Sequence, residues 1–323
     1  MHRHPSVTAM HYLARALLLA GFAFFIVHLV RAGDLDLYIA SRMQFIVKCS
    51  ALGLYAVAAQ QFYSAIRSWL DGKNHDPSCD CQHEMPATWG RSLLLYGWFA
   101  LPLIIGFAVP DGLLGSSMAS AKGVQFTPQQ IVKPYAEIPP AAPDPTVIDP
   151  AVIELPIEKD DEDEIPVAEL SDDALDLLFP TDAFTESYAR FGRQLVDQDL
   201  IQVTDKQFIE TLTTLDLYRT AFIGKNIQLS GFVYREGSMG QQQFGVSRFA
   251  ISCCSADASP YGVMAKFGKA SEFATDEWVT VTGKLSTALY NDIEIIQIDV
   301  TKITKISPPE DPYVTQDLDF GLE

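Results

Sequence analysis

Tyr12 to Val30 is an almost unbroken apolar run of 19 residues. A helix needs ~20 such residues to cross the ~30 Å hydrocarbon core of a bilayer. Arg15 lies near one end, where its long stem lets the charge reach the headgroups, and Arg31 closes the other. A cleaved leader is the rival reading. Val30-Arg31-Ala32-Gly33 makes a poor small-residue cleavage site, and more apolar runs follow, so a retained anchor is expected.

Phe45 to Ile66 is the second run, with Lys48 near its start and Gln60-Gln61 near its end. Leu93 to Val109 is the third, with Pro102 inside it. Arg67, Trp69 and Trp89 sit where interface anchors belong. Three such runs argue against buried helices of a globular domain and predict spans at about 12–30, 45–66 and 92–110 within a membrane region 1–120. Arg3, Arg15, Arg67, Lys73 and Arg91 fall on one side; Arg31, Arg42, Lys48 and Lys122 fall on the other. The excess favours an N-terminus inside and everything after Pro110 outside.

The chain carries a net charge of −18, and much of it is local: from Gln125 to Pro180 there are 14 acids against 2 bases. Prolines crowd the same stretch, as in Ile138-Pro139-Pro140, and Asp160-Asp161-Glu162-Asp163-Glu164 follows. Like charges and few apolar residues predict a disordered acidic linker over 121–180, reaching roughly 40 Å as a coil. The acidic run also has a cation-sponge reading, against which a solvated spacer is preferred.

Phe184 to Phe222 reads as helical, within a segment 181–222. Thr204-Asp205-Lys206-Gln207 has capping-box spacing, and Phe208, Leu212 and Leu215 recur on one face. Residues 223–323 read as an all-β domain. The strands are Ile227–Tyr234, Phe249–Cys253, Tyr261–Phe267, Trp278–Leu285 and one within Ile293–Ile306, with turns at Glu236–Gly240, Ser259-Pro260 and Asn291-Asp292. Gly231 and Gly283 lie where a small barrel bends sharply. Order and spacing predict a five-stranded OB-like barrel whose usual helix is reduced to Gly268–Phe273.

Four blocks now carry a resemblance: Gly231-Phe232-Val233-Tyr234-Arg235-Glu236, Arg248-Phe249-Ala250-Ile251-Ser252-Cys253-Cys254-Ser255-Ala256-Asp257, Trp278-Val279-Thr280-Val281-Thr282-Gly283 and Glu310-Asp311-Pro312-Tyr313-Val314. With Ile105-Gly106-Phe107-Ala108-Val109-Pro110 and Ser116-Ser117 in the membrane half, the chain resembles the YcgQ-like permease-subunit family. The resemblance implies a multi-pass cell-membrane subunit working with a separate polytopic permease partner. It also implies a histidine-rich loop between the second and third spans, but here that loop has only His75 and His83.

Chemistry-bearing residues are sparse. His75, Cys79, Cys81 and His83 pack four soft or borderline donors into nine residues and would suit zinc or copper(I), although Cys-x-Cys is tighter than finger spacing. The bland alternative is a polar loop between spans. Cys253 and Cys254 lie on or just past a strand, where alternation would send one thiol into the core and the other out. They read as packing residues, as a redox pair, or as a ligand set with Asp257. No histidine follows His83, which argues against a cysteine–histidine hydrolase.

No phosphate loop or dinucleotide fingerprint appears, so no nucleotide is expected. From Phe222 onward there are 8 bases against 13 acids, the wrong sign for nucleic acid. Phe232, Tyr234 and Phe249 therefore read as barrel packing. The expectation is a non-enzymatic membrane subunit with a tethered extracytoplasmic OB-like domain. The alternatives are a metal-handling protein using the 75–84 loop and a thiol redox protein using Cys253 and Cys254.

Overall fold

The computed structural model describes residues 5–70, 89–109, 112–126, 172–182 and 184–322. The acidic run and the 75–84 loop fall outside them. The chain divides into two compact units. One holds the helices up to Leu113 together with Ile251–Ala258 and Glu310–Tyr313; the other holds the remainder.

In the first unit, α1 (Pro5–Ala32), α2 (Ser41–Leu70) and α3 (Trp89–Ala108) are each long and apolar enough to cross a membrane. Helix α1 packs against both others. Helices α1 and α2, which pack together, each bury small residues seven apart: Ala16 and Ala23 on α1, and Ala51, Ala58 and Ala65 on α2. A seven-residue repeat keeps one stripe facing its partner, and alanine lets the backbones approach, which in lipid replaces the missing hydrophobic drive. Two serines of α2 bond back to their own helix. Ser50 donates to the Val47 carbonyl and Ser64 to that of Gln60. His11 meets the Tyr96 hydroxyl at 3.0 Å near the start of α1 and α3, and the Phe25 and Phe107 rings meet edge-on at 5.1 Å near their ends. The two helices are therefore parallel. Helix α3 buries none of its residues; Leu94, Trp98 and Ile104 all stand exposed.

The second unit is mostly strand: β1 (Leu200–Gln202), β2 (Asn226–Tyr234), β3 (Gln243–Ala250), β4 (Ser259–Lys266), β5 (Trp278–Tyr290) and β6 (Ile293–Lys305). Five of them form a ring. Strand β2 pairs antiparallel with β3 and with β5, β3 with β4, and β5 with β6, and a parallel β4–β6 pair closes the circuit. Inside lie Leu229, Val233, Phe244, Val246, Val281 and Ile298, all essentially buried. Phe232, Tyr234 and Phe249 are buried as well.

Two glycines let strands bend where they cross. A Cβ on Gly231 would stand 2.6 Å from the Ser247 carbonyl oxygen. One on Gly283 would stand 2.3 Å from that of Asp299, beside a register shift that leaves Thr301 unmatched. Such a bulge tightens the local twist. Asn291 and Asp292 turn the β5–β6 hairpin with φ of 50° and 63°, as their residue types allow.

Three local expectations are corrected. The second strand runs over Gln243–Ala250 rather than Phe249–Cys253, because pairing with β4 ends at Ala250 opposite Ser259. The helical segment is broken: α4 (Ser116–Lys122) and α5 (Asp172–Leu178) precede it, and α6 (Glu186–Val196) ends before β1, which pairs parallel with β2. Helix α7 (Phe208–Leu217) starts later than the capping-box spacing implies, with Gln207 as its N-cap. Thr204 accepts only a 3.4 Å bond from the Gln207 amide in the preceding turn.

Helix α4 is fixed to this unit. The Ser116 amide donates to Asp276 at 2.5 Å and its hydroxyl to the Val233 carbonyl at 3.2 Å. The C-terminal stretch is held as a strap: Glu210 on α7, pushed up by burial, accepts the Asp317 amide at 2.8 Å, and Phe320 packs on Tyr188 and Phe191.

Candidate functional site

Of the sequence-nominated residues, His75, Cys79, Cys81 and His83 lie outside the described residues. Cys253, Cys254 and Asp257 come together. They sit in the loop Ile251–Ala258, beyond the last β3–β4 pair, whose ends are pinned by buried Ile251 and Ala258. Neither thiol enters a core: Cys253 is exposed and Cys254 half-buried. The expectation of one inward thiol is overturned because strand alternation stops at Ala250 and a 3-10 turn, Ser255–Asp257, takes over.

Asp257 organises this loop. Its two carboxylate oxygens accept the amides of Ser252 at 2.9 Å and Cys253 at 2.7 Å. Burial would raise its pKa. The hydrogen bond from the Cys253 thiol, with those from the Ser252, Cys253 and Cys254 amides, outweighs burial and holds the carboxyl below its usual range. The two sulfurs lie 3.6 Å apart. The Cys253 thiol is pushed up to about 11, first by its hydrogen bond to Asp257 and next by Cys254. It is therefore a poor nucleophile near neutral pH.

The loop is clamped to the connection between α1 and α2, a contact within the first unit. Ala40 donates its amide to the Cys253 carbonyl at 3.1 Å, and Ser255 donates to that of Tyr38 at 2.8 Å. Ile39 and Cys254 form an antiparallel bridge. The Arg42 guanidinium grips the Ser252 carbonyl, with Nε at 2.9 Å. Ser41 donates to Asp311 at 3.3 Å. Sequence reading missed Tyr38, Ala40 and Arg42. Arg42 registers in the chain only as one positive charge, and the partners of Tyr38 and Ala40 are backbone atoms.

Since Asp257 is the main cause of the raised thiol, Asp257→Asn should bring Cys253 back towards an ordinary cysteine. Its alkylation by iodoacetamide at pH 8 is expected to quicken roughly tenfold, the larger thiolate fraction being partly offset by lower intrinsic nucleophilicity. In the unaltered chain the rate should keep climbing with pH beyond pH 10. A plateau near pH 9 would show that the carboxylate does not hold the proton.

Comparison with known proteins bears on both units. The DUF1980 N-terminal domain matches residues 14–125, and the DUF1980 C-terminal domain matches residues 178–316. The chain is 26% identical over 309 residues to UPF0703 protein YcgQ of Bacillus subtilis (strain 168), covering 93% of this chain and 98% of that one. It is 25% identical over 307 residues to a Streptococcus mutans protein named as a subunit of a two-component membrane permease complex, again over 93% and 98%. No solved structure matches.

Proposed function

This chain belongs to the DUF1980 family of YcgQ-like proteins, and from that membership we propose that it is the anchored subunit of a two-component membrane permease complex. The observation that carries the reading is similarity over nearly the whole length to a relative bearing that name. Three helices suited to crossing a bilayer support it. A separate polytopic permease subunit is the partner, and α3, which buries no residue of its own, is the helix that meets it.

The strand-rich unit is an OB-like barrel that caps or gates the partner from outside the cell. In support, the ring runs β2-β3-β4-β6-β5 and back to β2, with its one parallel pair between the third and fifth strands, which is OB connectivity. A short 3-10 turn, Ala270–Glu272, stands where that fold places a helix. The role is one of assembly and transport rather than catalysis.

A photoreactive residue in place of Leu94 on α3 is expected to crosslink, in native membranes, to one other polytopic protein. Crosslinks to lipid alone would place the partner elsewhere or remove it. A reporter fused after Glu323 checks the placement: alkaline phosphatase should be active there and a cytosol-dependent fluorescent protein dark, and the reverse pattern would contradict the outward domain.

A further inference from the structure

We propose that Cys253, Cys254 and Asp257 form a three-ligand site for zinc(II), open at its fourth position. Their donor atoms all lie within 4.8 Å of one another. Adjacent residues in a strand point to opposite faces. Here the chain leaves the strand at Ala250 and turns at Ser255, and both sulfurs converge on the same carboxylate.

The sulfur separation selects the ion. Two thiolates on one tetrahedral zinc, with arms of ~2.3 Å, stand about 3.8 Å apart. A linear two-thiolate site with similar arms, as copper(I) favours, needs about 4.6 Å. The observed 3.6 Å fits the tetrahedral case without rearrangement.

The scaffold is already built. Asp257 accepts the Ser252 amide on one oxygen and the Cys253 amide on the other, which fixes the carboxylate beside both sulfurs. The carbonyls and amides of the cysteine loop are held by Ala40, Tyr38 and Arg42, so the donors are positioned before any ion arrives. Cys253 faces solvent, which keeps the fourth position open. Structural zinc sites are closed by four protein ligands; three ligands with an open position suit an ion that exchanges or is handed on. The assignment does not depend on the permease reading.

The test uses the full chain in detergent, reduced and stripped of metal. All arms carry His75→Ala, Cys79→Ser, Cys81→Ser and His83→Ala, which remove the other donor set. Zinc, titrated against a chromophoric chelator, should bind one ion per chain. Cys253→Ser and Cys254→Ser, singly or together, should weaken binding by about 100-fold or more, and Asp257→Asn by about tenfold. Cobalt(II) should give thiolate-to-metal absorption in the background chain, about half of it in each single-serine chain and none in the double. Zinc should raise the melting temperature of the background chain but not of the double variant, whose metal-free melting should match. Zinc binding that survives loss of both cysteines unchanged, or a background chain with no cobalt–thiolate absorption, would overturn the site.

Discussion

Gly283→Ala is expected to cost the strand-rich unit about 3 kcal/mol, at the upper end for forcing atoms into a packed interior. The new methyl would stand 2.3 Å from the Asp299 carbonyl oxygen and 2.8 Å from the Val300 Cα, both backbone atoms that no side-chain rotation can move. Relief requires β5 and β6 to separate at the bulge where Thr301 is unmatched, and this pair is part of the ring's closure. For a unit of this size the loss corresponds to a fall in melting temperature of roughly 6–12 °C. Gly237→Ala is the control, since a Cβ there meets nothing within 4 Å. It should change stability by no more than about 0.5 kcal/mol. Equal effects from the two substitutions would mean that Gly283 is not a crossing point.

Arg248→Ala should be as damaging or worse, at about 3–5 kcal/mol. This arginine is 1% exposed. Its guanidinium lies 5.3 Å from the centre of the Trp278 ring and 5.9 Å from that of Phe208, and it is paired with Asp205. Asp205 is 63% exposed, so water screens the pair and the carboxylate is not stranded when its partner goes. The slot between the rings therefore matters more than the charge. Arg248→Met, which refills the slot with apolar volume, should cost only about 1 kcal/mol. A methionine variant as unstable as the alanine one would show that the pairing, and not the packing, secures β3 to α7.

The membrane half was legible because its signal is one-dimensional: long apolar runs at Tyr12, Phe45 and Leu93 become α1, α2 and α3, each longer than its run. The strand-rich half was legible in its turns. Asn291-Asp292 bends the hairpin as their residue types require, and Gly231 and Gly283 sit at close approaches. What failed were features set by partners distant in sequence. Phe249 to Cys253 has strand-like composition, but β3 stops where β4 can no longer pair with it. Leu200–Gln202 is too short to register as a strand and exists because β2 offers it an edge. The candidate site was half visible. Cys253, Cys254 and Asp257 are conspicuous in sequence, whereas Tyr38, Ala40 and Arg42 act some 210 residues away along the chain, two of them through backbone atoms. Two blocks that carried the family resemblance, around Cys253 and around Asp311, both join the unit that contains Ser41 and Arg42.

The most direct measurement is co-purification. The full chain, tagged at its C-terminus and expressed at native level, is extracted in mild detergent, and its partners are identified by mass spectrometry. The account predicts one polytopic membrane protein in about equal amount, retained through size-exclusion chromatography. Recovery of this chain alone, from membranes in which that protein is present, would contradict it.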